Sequence, residues 1–361
     1  MHSAQALLGP ALALTASNDN AARPATRRGG PTVASVRVMR AAWFVASAVL
    51  AFASVSNAQD LGHKIPGTLG LHAGDQEDAG IHFAERFGFL DSHVARDRNG
   101  AVLPIGAFDL DASSAALGMS FAMPLPRDGP YVGATIAVPI GHISLDSQRP
   151  EVSTDRYGIG DIYVQPLHLG LHSTYADLVT GYGFYIPTGW YDPAGQHGIG
   201  VGHWTQEFSL GGSLYANAAR TFFLSALASF DLNSVKRNID IRRGATAQIQ
   251  GGAGTRIARL VDVGMVGYAL WQVTDDIGGD VPSVLRGARD RVFGVGPEIG
   301  VRVPPLGLFV SLRYTHDFGV QSRPEANLFF VGLNWMLRSL PPTPHTTFLG
   351  PPPEVASSRL H

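Results

Sequence analysis

The chain has 361 residues, 45% of them hydrophobic and only 16% charged, with a mean hydropathy of +0.07. That hydropathy excludes a bundle of membrane-spanning helices, each of which needs about 20 mostly apolar residues in a row. A net charge of −2 and the absence of cysteine argue against nucleic-acid binding and exclude disulfides and thiolate metal sites.

Residues 1–38 are polar, patternless and rich in Ala, Pro and Arg. They read as an extension ahead of the true start at Met39. Arg40, the apolar run Ala41 to Val55 and then Ser56-Asn57-Ala58 have the order of a secretory signal, with the cut expected between Ala58 and Gln59. The run is too short and too alanine-rich to serve as a membrane anchor. Arg27-Arg28 lies too far upstream to make a twin-arginine signal.

From about residue 81 to 337 one unit repeats: 10 to 14 residues of alternating character, then a turn. In 203–215, Phe208, Leu210 and Leu214 oppose Glu207, Ser209 and Ser213. In 221–232, Phe222, Leu224, Phe230 and Leu232 oppose Ser225, Ser229 and Asp231. The segment 291–303 sets Phe293, Val295, Ile299 and Val301 against glycines, Glu298 and Arg302. In 306–317, Leu308, Val310, Leu312 and Tyr314 face away from Ser311, Arg313 and Asp317, and 326–337 repeats the pattern through Trp335. Side chains alternate across a strand, so each segment has one apolar face and one small-or-polar face. Low charge and 43 glycines agree, because only alternate residues of a membrane barrel face lipid.

Short turns at 127–130, 217–220 and 304–307 alternate with longer polar connections at 145–158, 188–202, 233–243 and 275–290. Short turns on one side and long loops on the other are the asymmetry of outer-membrane barrels. The count predicts an all-β, transmembrane, up-and-down antiparallel barrel of about 12 strands over 59–337, followed by a proline-rich, disordered tail over 338–361. A soluble periplasmic β-barrel that binds its ligand inside is the structural rival. Its solvent face would carry many lysines and glutamates, and this chain has two lysines, Lys64 and Lys236.

No catalytic, cofactor or metal set is predicted. The clusters Gly198-x-Gly200-x-Gly202 and Gly251-Gly252-x-Gly254 open no helix and lack the phosphate-loop lysine, so they read as strand and turn glycines. His316-Asp317 beside Tyr314 has no nucleophile elbow near it. Alternation places Arg86, Asp161, Gln165, Glu207, Asp231, Gln250, Arg256, Gln272, Glu298, Arg302 and Arg313 inward, as solute-path or bracing residues. Trp190, Tyr191 and Trp204 are the loop aromatics placed to contact a solute or to anchor at the interface.

Specific text carries a resemblance: Gly158-Ile159-Gly160-Asp161-Ile162-Tyr163-Val164-Gln165-Pro166, Gly181 to Tyr191, Gly202-His203-Trp204-Thr205-Gln206-Glu207-Phe208, Trp271 to Asp276, and Val295-Gly296-Pro297-Glu298. Over roughly 65–337 the chain resembles the MetA-pathway phenol-degradation family. The resemblance implies an outer-membrane barrel associated with aromatic catabolism, and it carries over no catalytic residues. The expected function is passive uptake of small hydrophobic or aromatic compounds. The expected partners are membrane lipid, lipopolysaccharide, the solute and the outer-membrane assembly machinery. A non-transporting structural barrel is the alternative, and a lipid-modifying enzyme a more distant one.

Overall fold

The structure, a computed structural model, describes residues 62–340 apart from 127, 128, 150 and 284. The expected extension, the secretory signal and the tail beyond Leu340 lie outside the described residues. The strands are β1 (Gly80–Arg96), β2 (Phe108–Pro124), β3 (Tyr131–Gln148), β4 (Glu151–Ile159), β5 (Ile162–His172), β6 (Ala176–Ile186), β7 (Thr205–Tyr215), β8 (Phe222–Asn233), β9 (Thr246–Ile257), β10 (Val261–Gln272), β11 (Arg291–Val303), β12 (Leu308–Gln321) and β13 (Arg323–Ser339).

Every pairing is antiparallel, and β1 pairs with both β2 and β13, so the sheet closes on itself. The thirteen segments occupy twelve wall positions. β3 pairs with β5 over Tyr131–Ala137 and with β4 over Ile140–Gln148. β4 and β5 are therefore one strand interrupted at Gly160–Asp161. Closure leaves no unpaired edge in lipid, the requirement for any sheet that spans a bilayer.

Alternation decides what each face meets. On β8, Phe222 and Leu224 are 58% and 54% exposed, while Phe223 and Ser225 between them are 5% and 2% exposed. Exposed Leu, Ile, Val and Phe recur around the outside, and their solvent is lipid. His316 and Asp317, adjacent in sequence, point to opposite faces: His316 meets Asn327 outside, and Asp317 accepts a hydrogen bond from Tyr268 inside. That pair cannot act together.

One expected loop is strand. Residues 145–158 were too polar on both faces to show alternation, yet β3 runs to Gln148 and β4 resumes at Glu151. Asp146, Ser153 and Asp155 line one face and Ser147, Thr154 and Arg156 the other. With polar residues on both faces, the inside–outside signal vanishes from the sequence. β13 likewise continues two residues past Leu337, to Ser339.

Residues 62–79 do not join the wall. They run down the lumen from the end that carries the long loops to the end that carries the short turns, where β1 begins. At the loop end Ile65 packs against a buried cluster of Tyr268, Leu270, Val292, Val320, Ala326, Leu328 and Phe330, with Leu90 beside it.

Candidate solute pathway

The lumen has two unlike halves. From β5 round to β12 the inner face carries long polar side chains, and these hold the 62–79 segment. Across β1–β3 the inner face is mostly small, with Ala84, Ala116, Gly118, Ser120, Ala122, Thr135 and Ala137, and its long side chains are His82 and Arg86 of β1. These side chains reach the segment only at its lower end, where Ser120 donates to Glu77 and His82 meets the Asp78 carbonyl, so a cavity of about 1000 Å³ remains between the rest of it and that wall. The cavity reaches the turn end at Asp78, His82, Pro304 and Gly307, and ends upward near Phe330.

Three clamps hold the plug segment. At the top, His63 bridges Asp161 and Thr205, at 2.9 Å to each, and stacks on Tyr185 at 4.5 Å. Lys64 follows, 2.5 Å from Glu207 and 2.8 Å from Asp231, and it also donates to Ser229. Tyr163 adds its hydroxyl proton to Glu207 at 2.7 Å. In the middle, the backbone N–H groups of Leu69 and Leu71 donate to Gln250 and Glu298, and Arg313 donates to Glu298 and to the Gly67 carbonyl. Gly70 lies flat on that pair, where a Cβ would collide with Glu298 and Arg313. At the bottom, His72 joins Asp75 at 2.7 Å and Asp262 at 2.8 Å, and Arg256 and Arg302 donate to the same Asp262. Leu71 is fully buried beside Tyr215, Phe223 and Val266.

Each buried charge in these clamps has an opposite partner and further hydrogen bonds, the arrangement that makes buried ions tolerable. Asp161 does more than hold His63. It also accepts the N–H groups of Gly189 and Val201, both at 2.8 Å. One carboxylate at the β4–β5 interruption therefore fixes the plug and both legs of the 187–204 loop.

Among the residues singled out from sequence, Asp161, Glu207, Asp231, Gln250, Glu298 and Arg313 touch the plug, and Arg256 and Arg302 reach it through Asp262. Gln272 instead secures the 273–290 loop, donating to the Thr274 carbonyl and Asp276. Gln165 and Arg86 line the cavity. Trp190 is 66% exposed and stacks on His197, whereas Trp204 faces outward beside Phe184. Tyr191 packs under Gly202, with Lys236 over its ring. The plug itself and Asp262 escaped notice. Their signal was a glycine-spaced polar stretch ahead of the first alternating strand, holding one of the chain's two lysines.

Two further features shape the boundary. At Gln165–Leu167, β5 carries one extra residue against both neighbours, breaking the ladder to β3 and the ladder to β6. Pro166 lacks an N–H, so the wall loses ladder bonds on both sides there, at the level of the cavity. In the 187–204 loop, Asp192 accepts N–H groups from Ala194, Gln196 and His197, at 3.0, 3.1 and 3.2 Å, and these hold its carboxyl below the usual range. A depressed carboxyl contributes order above the ordinary carboxylate pKa near 4 and loses it as pH falls through its own value. Hydrogen exchange should therefore find these three amides protected at neutral pH and released in acid. Asp192→Asn should release them at neutral pH, and unchanged protection in that variant would rule out the carboxylate as their anchor.

A family model described as "Putative MetA-pathway of phenol degradation" matches residues 92–332. Among solved structures, the fold is similar to the COG4313 outer membrane channel from Pseudomonas putida F1, at 12% identity and a TM-score of 0.63 over 76% of this chain and 99% of that one. Weaker likenesses include the transport unit of the autotransporter AIDA-I from Escherichia coli (10% identity, TM-score 0.42, 79% of this chain and 97% of that) and the CymD monoaromatic hydrocarbon channel (9%, 0.37, 73% and 90%). No curated protein sequence matches the chain.

Proposed function

The chain belongs to the MetA-pathway phenol-degradation family, and from that premise we propose that it is an outer-membrane channel for passive uptake of small hydrophobic or aromatic compounds. The observation that carries this reading is the cavity of about 1000 Å³ beside a plug anchored at three levels. A barrel built only as a brace would have no reason to leave most of the inner face of β1–β3 small. The volume is ample for a substituted benzene ring. The solute passes without covalent chemistry.

The route follows from where the lumen is closed. Ile65 and the apolar cluster seal the loop end. The cavity opens at the turn end, and its wall is interrupted at the Pro166 bulge. An apolar solute that has partitioned into the membrane can enter there and leave toward the periplasm. The secretory signal delivers the chain, the outer-membrane assembly machinery inserts it, and its outer face meets lipid and lipopolysaccharide.

The chain has no cysteine, so the route can be tested with an engineered pair. Leu71→Cys with Val266→Cys ties the plug to the wall within the buried cluster that those two residues share. Uptake of toluene or phenol by cells carrying the oxidised variant should match that of the reduced variant. Uptake that stops on oxidation and returns with reductant would mean that the plug itself must move. Equal growth on aromatic substrates with and without the gene would favour the structural-barrel alternative.

A further inference from the structure

One arginine of the cavity lacks a direct partner. Of the arginines lining it, Arg313 donates to Glu298, Arg256 and Arg302 share Asp262, and Arg220 reaches Asp177. Arg86 differs: among the described residues no acceptor lies within hydrogen-bond or ion-pair distance of its guanidinium. Its place in the sheet explains why. Arg86 sits opposite Ala116 on β2 and Gly332 on β13, so neither neighbouring strand places an acceptor directly across from it. Its partly buried head ends in the open cavity.

A guanidinium is permanently charged and presents five donors in a planar fork that matches a carboxylate. Leaving such a group without an acceptor inside a partly dry lumen is costly unless something that passes through provides one. The rung above Arg86 is apolar and aromatic. Gly88 lies opposite Phe330, whose ring occupies the space a side chain at Gly88 would take, and Leu90 and Leu328 continue the apolar ceiling. A cation directly below an apolar, ring-lined pocket is complementary to a molecule with a flat apolar body and a negative end.

We infer that Arg86 is a carboxylate-binding residue and that the cavity takes small aromatic monocarboxylates, ring toward Phe330 and carboxylate on the guanidinium. This rests on the uptake reading above and narrows its solute class. Charge-assisted, bidentate pairing orients such a solute in a way that a neutral ring would not be oriented.

Calorimetric titration of the folded protein in detergent at neutral pH provides the test, with benzoate, benzyl alcohol and chloride as probes. Benzoate should bind more tightly than benzyl alcohol. Arg86→Gln should weaken benzoate about tenfold or more while leaving benzyl alcohol unchanged. Arg86→Lys should retain part of the preference. Ala116→Glu, which supplies an acceptor from the opposite strand position, should abolish the preference in a barrel whose arginine is intact. Benzoate binding that is indifferent to Arg86→Gln, or no tighter than that of benzyl alcohol, overturns the inference. Complete displacement of benzoate by equimolar chloride would make the site one for inorganic anions and overturn it equally. Continued uptake of benzyl alcohol by cells would then show that the channel reading survives, whereas loss of that uptake as well would remove both.

Discussion

Lys64→Met should raise the ionic conductance of the reconstituted barrel several-fold. Lys64 stands between two carboxylates, 2.5 Å from Glu207 and 2.8 Å from Asp231. Those two residues face each other across β7 and β8, and both are buried. Removing the ammonium leaves two like charges in a space from which water is largely excluded, and breaking one partner out of a buried pair costs about 3–5 kcal/mol. The β7–β8 ladder has eleven register pairs to absorb that penalty, whereas the plug has a few side-chain clamps, so the plug yields first. A loss of 3 kcal/mol shifts the docked-to-released ratio by about two orders of magnitude. Planar-bilayer recordings should therefore show long open events that are rare in the parent protein. Restoring neutrality with Glu207→Gln and Asp231→Asn in the same chain should shorten them. Identical conductance in Lys64→Met and parent would mean that the plug is held from elsewhere.

Asp262→Asn is expected to act on the wall as well as on the plug. Asp262 is fully buried and accepts from Arg256 on β9, from Arg302 on β11 and from His72 on the plug. It is the single anion binding three adjacent strands to the segment between them. An asparagine keeps the shape and removes the charge, leaving two guanidinium groups close together with no counter-ion. The cost should again be about 3–5 kcal/mol. It should appear as a lower temperature for the change from the folded to the boiled mobility on a gel, together with easier release of the plug. Lys64→Met should leave that temperature nearly unchanged, so the two variants separate plug docking from barrel stability. A normal transition temperature for Asp262→Asn would show that Arg256 and Arg302 are satisfied without it.

The wall was legible in the sequence because lipid outside and polar lumen inside impose a period of two that survives residue by residue. β8 and β11 show it plainly, and the closed count of twelve followed from counting such segments. β4 was not legible, since polar residues stand on both of its faces and the period disappears. The lumen-facing residues could be placed on the inner face, but what each meets could not be stated. Glu207 and Asp231 looked like pore-lining charges, and they are the anchor of Lys64, more than 140 positions away. Arg86 carried the same label as Arg313, yet one is satisfied and the other is open to the cavity. The difference lies in Ala116 and Gly332, neighbours across two strands rather than along one.

By itself the amino-acid sequence determined the class of solvent on each face of each strand, and through it the barrel, its approximate strand number and its family. Those are local consequences of alternating polarity, which needs no knowledge of partners. Tertiary structure alone decided that residues 62–79 fill the lumen, that their clamps draw on β5 through β12, and that the mostly small inner face of β1–β3 leaves a cavity open toward the turn end. Such pairings join residues far apart in the chain, and their energies depend on distance and burial, which exist only once the sheet has closed.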